Sequence, residues 1–339
     1  MDDRIWSLAS LPIKLGGLGI RKISCVALPA FLGSVHSTYE LVSKILYLPL
    51  LDPKITYMTE ARNEWLLTCP NTDLPTVPTS QRLWDEPLCE LIRKNLLDSC
   101  RDSTERARLL AVAEWESGLW LQAHPSLHTG TLMSDNSFRL ATCLRLGAPC
   151  CVQHHCQCGN IVDRFGYHGL SCVKSAGRIS RYASINDIIR RALVSAGVPA
   201  ILEPNGLVRS DGKRSDGMSI IPWKMGRSLV WDATCVDTMA PTHLPGTNSN
   251  AGSAASTAEG LKRRKYENLS KDFIFVPFGV ETLSPWGPSA KSFFKDLKKN
   301  FLRPRETRRP VHILHKELAL LSSVEMLPAF WELCQPAVS

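Results

Sequence analysis

The chain has 339 residues, 44% of them hydrophobic, enough to bury a substantial core in two or three domains. No uninterrupted apolar run approaches membrane-spanning length, and no membrane partner is expected. The charge is uneven: residues 1–140 hold 14 Lys/Arg and 16 Asp/Glu, whereas 141–339 hold 26 and 16, so the basic excess sits in the C-terminal portion and points to a polyanion there or to a solvated basic surface.

The opening MDDRIWSLAS has neither the basic n-region nor the apolar h-region of a signal peptide, so an intracellular setting is expected. The 12 cysteines are then not a disulfide framework. Asp2 and Asp3 read as solvated terminal residues. LGGLGI (15–20) lacks the third glycine and the Lys-Ser/Thr ending of a phosphate loop and reads as a glycine turn. PAFLGSVHSTYELVSKILY, LCELIRKNLLDSC and TERARLLAVAEWESGLWLQ carry apolar residues at helical spacing, interrupted by the linker-like PNTDLPTVPTS (70–80). A further helix from residue 136 runs into a dense Cys/His stretch at 150–172.

After the basic hinge KSAGRISRY the pattern alternates. A helix is predicted over 183–196, with Asn186 and Asp187 in its first turn and Gly197 and Pro199 ending it. Strands follow near 200–208, 216–221 and 228–236, then a polar loop at 241–254 expected to be mobile. A helix near 256–271, the strand FIFVPFGVET and a helix near 288–300 complete a mixed α/β arrangement. The predicted organisation is a mostly helical region at 1–140, a small Cys/His module at 141–175, an αβββαβ core at 176–300, and a basic segment with a helix at 301–339.

Within CCVQHHCQCGNIVDRFGYHGLSC, Cys156, Cys158, His168 and Cys172 supply three thiolates and an imidazole, a set that closes a tetrahedral Zn²⁺ site. Cys151 is an alternative ligand, and His154 and His155 compete. Four protein ligands leave no open position, so the zinc is expected to be structural.

Two acids stand where strands are expected. In RSDGMSIIPWKMGRSLVWDATCVD, counting symmetrically about a turn near Lys224–Met225 puts Asp216 opposite residue 233, beside Asp232. Paired carboxylates repel unless protonated or bridged, and hard oxygen ligands favour Mg²⁺ completed by water and phosphate. Asp237 falls on the other face, as a strand-end residue. In LKRRKY, Lys262 and Tyr266 share a helix face and Lys265 is close; composition alone makes this run a solvated basic face.

Together, CQCG…YHGLSC, KRSDG, LVWDATCVDT, LKRRKY and VETLSPWG resemble the C-terminal end of non-LTR retrotransposon polyproteins, where a zinc knuckle precedes a restriction-like PD-(D/E)XK endonuclease. SLPIKLGGLGIRKISCVALPAFLGS (10–34) is similar to the segment that follows the reverse-transcriptase palm in them. The resemblance implies that Asp216 and Asp232 bind Mg²⁺ and that Lys262 or Lys265 is the catalytic lysine, with Tyr266 beside it and Glu203 as an extra acid. Arg178, Arg181, Arg190, Arg191, Lys213, Arg214, Arg263 and Arg264 would hold the nucleic-acid backbone. It implies DNA, with element RNA, as partners, nuclear localisation, and a nick that primes reverse transcription. The pattern is broken where Ser215 replaces a proline and Thr234 a lysine. No aromatic-x-Asp-Asp motif is present, so polymerase activity is not expected, and the chain reads as the tail of a longer polyprotein or a separate copy. The alternative is a non-catalytic zinc-containing nucleic-acid-binding remnant.

Overall fold

The structure, a computed structural model, describes residues 2–47, 56–127, 132–172, 174, 177–205 and 214–301. The chain forms two compact units, Met1–Cys100 and Arg101–Ser339. Residues 101–140, grouped with the first helices by their periodicity, therefore belong with the sheet. Among the described residues no helix is long and apolar enough to cross a membrane.

The first unit is helical: α1 (Asp3–Ser10), α2 (Ile23–Ile45), α3 (Thr56–Thr68) and α4 (Gln81–Asp98). Asp2 is more than a solvated end, because its carboxylate accepts the Arg4 N–H and caps α1. LGGLGI is a turn, with Gly16 and Gly19 at φ 94° and 75°. Leu32, Trp65, Cys69, Trp84 and Leu88 form the core. The Trp65 indole meets that of Trp84 edge-on at 5.1 Å and donates to the Trp84 carbonyl.

The second unit begins with α5 (Ser103–Val112), a 3₁₀ turn at Glu116–Gln122, and α6 (Asp135–Leu146). Their apolar faces close on Leu170, Met239 and Leu283, which is why this stretch packs into the unit that carries the sheet. The hairpin β1 (His154–His155) and β2 (Ile161–Val162) and the turn α7 (His168–Ser171) carry the Cys/His stretch. Then come α8 (Gly177–Ser195), β3 (Ala200–Leu202), β4 (Gly217–Ser219), β5 (Leu229–Val236), α9 (Leu244–Thr247), α10 (Ser253–Lys265), β6 (Ile274–Glu281) and α11 (Pro288–Phe301). The four-stranded sheet runs β3-β4-β5-β6, antiparallel except for the parallel pair β5 and β6. The class is mixed α/β.

Alternation along the strands sorts the sheet's two faces. Leu229, Trp231, Ala233, Phe278 and Val280 pack against Ile185, Ile188, Ile189 and Leu193 of α8 and Phe293, Phe294 and Leu297 of α11. Val230, Asp232, Thr234, Gly279 and Glu281 therefore point to the opposite face, where α10 packs. The approach of α10 is close: a Cβ on Gly279 would stand 2.7 Å from the Ala255 carbonyl oxygen and 2.8 Å from Glu259 Cγ. Buried acids fix the flanking helices. Glu259 accepts the N–H groups of Gly279, Ser289 and Ala290, capping α11, and Glu281 accepts those of Ala254 and Ala255, capping α10.

Several expectations change. The helix predicted to reach 271 ends at Lys265 and continues as a 3₁₀ turn at Glu267–Lys271. The 241–254 loop is not loose: it contains α9, and the fully buried Thr247 hydroxyl donates to the Thr238 carbonyl at 2.8 Å. Residues 206–208 of the first predicted strand, Lys213, the Arg178 side chain and the 302–339 segment lie outside the described residues.

Candidate active site and metal centre

The hairpin that brings the two acids together is asymmetric. Its tip, bridged by Lys224 and Arg227, places Met225 and Gly226 at φ 51° and 72°, a primed turn. Gly217 pairs with Trp231 and Met218 with Val230. Five residues, 219–223, thus stand between pair and tip on one side against two, 228 and 229, on the other. The Ser219 hydroxyl spans the irregularity by accepting the Leu229 N–H and donating to the Ile221 carbonyl. The tip lies one residue later than Lys224–Met225, which alone would move the partner of Asp216 to residue 235, and the three extra residues on the β4 side bring it back, so the register runs Asp216 toward Asp232 rather than toward residue 233.

Asp216 stands just before β4, donating its N–H to the Trp231 carbonyl at 3.1 Å and accepting the Ala233 N–H on Oδ2 at 2.7 Å. Burial, then the neighbouring Asp232 charge, pushes its carboxyl above the ordinary value. Asp232 is buried in β5, and Lys262 of α10 forms an ion pair with its Oδ1. Both acids line a cleft of about 470 Å³ together with Tyr182, Glu203, Arg214, Ser215, Thr234, Lys262, Lys265 and Tyr266. All six residues expected at the catalytic centre thus meet in one cavity.

Their positions are not equivalent. Lys262 reaches an acid, whereas Lys265 is exposed at the cleft wall. Tyr266 is buried, its ring 4.6 Å from that of Phe275 and its hydroxyl donating to the Arg214 carbonyl. Glu203 is exposed in the left-handed region at φ 46°, and its N–H donates to the Asp216 carbonyl. A strained non-glycine residue at a cleft needs support from its surroundings, and that bond supplies part of it.

The arginines divide. Arg181 is 4% exposed and donates to the Leu170 carbonyl and toward Cys235 Sγ, so it ties α7 to β5 rather than facing a polyanion. Arg190 and Arg191 both pair with Asp187 on α8. Arg214 and Arg264 are exposed, and Arg263 donates to the Ser289 hydroxyl. Asp237, the expected strand-end acid, is buried; it accepts the Met239 N–H and the Thr282 hydroxyl.

The donor atoms of Cys156, Cys158, His168 and Cys172 lie within 4.8 Å of one another, the one group of three or more such residues among those described. Cys156 Sγ is 3.6 Å from Cys172 Sγ and Cys158 Sγ is 3.1 Å from His168 Nε2. Tetrahedral zinc with bonds of about 2.3 Å to sulfur separates its thiolates by roughly 3.8 Å, so the set can bind a metal such as zinc. The Asn160 backbone N–H, with the other members of the set adding, holds the Cys158 thiol down to about 6. Cys151 instead directs its thiol to the Asp163 carbonyl at 3.1 Å, and His154 Nδ1 lies 2.8 Å from the Val152 carbonyl.

Sequence reasoning missed Tyr182 and Asn186 on α8, and Glu259. Tyr182 and Asn186 are four residues apart and share the face that carries Ile185 and Ile189, a polar interruption of a buried stripe. Glu259 stands three residues before Lys262, just ahead of a run that composition alone marks as solvated. Compared with protein-family models and with curated proteins, the chain matches none.

Proposed function

We propose that the second unit is a metal-dependent DNA endonuclease of the restriction-like class, from the C-terminal part of a non-LTR retrotransposon polyprotein. The observation that carries the reading is the meeting of Asp216, Asp232 and Lys262, from three different elements, in one cleft. The order α8, β3, β4, β5, α10, β6 supports the αβββαβ core, and the neighbouring Cys/His set supports the knuckle.

Two carboxylates of one cleft are a hard-oxygen donor set that suits Mg²⁺ completed by water and phosphate. When bound there, Mg²⁺ supplies Lewis acidity toward a phosphoryl oxygen and lowers the pKa of a coordinated water. The protein's part comes from its own side chains. The Ala233 N–H holds Asp216 in place, and β5 holds Asp232. Lys262 brings a positive charge to a phosphate oxygen as charge develops on it, which makes it the catalytic lysine in preference to Lys265. Arg214 and Lys265, exposed in the lining of the cleft, and Arg264, exposed on α10, contact backbone phosphates and confer no sequence information. Zn²⁺ in the knuckle is structural. DNA and element RNA are the partners, and nuclear localisation goes with this role.

The test is nicking of supercoiled DNA. Mg²⁺-dependent conversion to open circles is expected for the wild type and its loss in Asp216→Ala and Asp232→Ala. DNA binding with no metal-dependent cleavage would leave a binding module in place of the enzyme.

A further inference from the structure

The cleft has two chemically different walls. The pairing of β4 with β5 ends at Trp231, and the next residues of β5, Asp232, Ala233 and Thr234, line the cleft as its floor. Along that edge the Ala233 N–H goes to Asp216 Oδ2, and the Cys235 carbonyl accepts the Tyr182 hydroxyl at 3.5 Å. The helices α8 and α10 pack on opposite faces of the sheet, so they reach the floor from opposite sides. From α10 come Lys262 and Lys265; from α8 comes Tyr182.

Two aromatic residues line the cleft, and they differ in what they can offer. Tyr266 is 2% exposed with its ring against Phe275, whereas Tyr182 is half-buried in the opposite wall. At 3.5 Å its bond to the Cys235 carbonyl is long for a hydroxyl donor, so tying α8 to β5 is the lesser part of what Tyr182 does. A nucleotide is divided in the same way as the cleft. Its phosphate suits the ammonium wall, and every base has a flat π-face that suits an aromatic ring. A cleft of about 470 Å³ has the size of a small-molecule pocket and takes one such unit. Inside a duplex both faces of a base are covered by its neighbours, so a base meets this ring only when unpaired or turned out of the stack.

We propose that Tyr182 is a substrate-contact residue: its ring stacks on an unpaired base beside the scissile phosphate, and DNA with unpaired nucleotides at the cut is the preferred substrate. This rests on the endonuclease reading and adds to it the form of DNA that the cleft selects.

The experiment compares Mg²⁺-dependent cleavage, by the zinc-loaded full chain, of a fully paired duplex and of the same duplex with a central bubble of unpaired nucleotides. Wild-type protein should cut the bubble with the lower KM. Tyr182→Leu, which keeps apolar bulk without a π-face, should raise the bubble KM about 5- to 150-fold. Its kcat should move far less, because a contact away from the reacting phosphate binds ground and transition states alike. Tyr182→Phe keeps the ring and should keep the low KM. Persistence of the bubble preference in folded Tyr182→Leu overturns the proposal, and so does its loss in Tyr182→Phe, which would assign the effect to the hydroxyl. Equal KM values for the two DNAs in the wild type overturn it too, and that readout stands even where Tyr182→Leu does not fold. All three results leave the endonuclease reading intact. Absence of Mg²⁺-dependent cleavage of either DNA by the wild type removes that reading, and the role of Tyr182 with it.

Discussion

Removing Glu259 should loosen the second unit more than any surface change. Its carboxylate is 2% exposed and accepts N–H groups from Gly279 at 3.1 Å, Ser289 at 2.8 Å and Ala290 at 3.0 Å. Gly287 cradles it as closely: a Cβ there would come within 2.3 Å of the carboxyl carbon. Glu259→Ala leaves these donors buried without an acceptor, at about 1–3 kcal/mol each. Because they share one acceptor and the α11 end can reach water by fraying, the losses do not add fully. A total of about 3–5 kcal/mol is expected, against typical domain stabilities of about 5–15 kcal/mol. At about 2–4 °C per kcal/mol for a unit of this size, the thermal midpoint should drop by roughly 6–20 °C. Glu259→Gln keeps one acceptor oxygen and should lose about half as much. Thermal and urea unfolding followed by circular dichroism measures both variants. A Glu259→Ala midpoint within about 1 °C of wild type would refute the capping role, since even one stranded donor costs more than that.

Gly217→Ala forces a methyl group into the Trp231 indole, at 2.0–2.5 Å from three ring atoms. An overpacking loss of about 1–3 kcal/mol is expected in urea titrations, and wild-type stability would show that the indole moves aside without resistance. Cys172→Ser should lose the knuckle metal, whereas wild-type protein purified under reducing conditions should carry about one zinc per chain by elemental analysis. Full zinc retention in the variant would exclude Cys172 as a ligand. Burial pushes the Asp237 carboxyl above its ordinary value, against the Met239 N–H and the Thr282 hydroxyl. A raised folded pKa means that its stabilising contribution is full below the unfolded carboxylate range and is lost as pH rises through the folded value. Asp237→Asn should therefore gain stability relative to wild type as pH rises above the unfolded carboxylate range, near pH 4. A pH-independent difference between the two unfolding midpoints would contradict this.

Much of the architecture was legible in the chain because it obeys local rules. Apolar spacing marked the helices, strand patterns marked β4, β5 and β6, and the density of soft ligands marked the knuckle. What local pattern could not supply was register. Symmetric counting put Asp216 opposite residue 233, because nothing in RSDGMSIIPWKMGR announces that the tip falls at Met225–Gly226 or that Ser219 would take over a backbone bond and let extra residues out on one strand. Composition failed at Arg181 in the same way: a basic residue in a basic stretch reads as a phosphate contact until packing buries it.

By itself, then, the sequence determined which residue types were present in which order: alternating elements, paired acids, a lysine-rich helix and a Cys/His set. Only the tertiary structure decided which of them meet. Convergence of Asp216, Asp232 and Lys262 depends on a parallel crossover that lays α10 over Gly279 and on which strand face each residue occupies. Those are long-range packing outcomes, set by the shapes of buried side chains far apart in the chain, and no window of neighbouring residues encodes them.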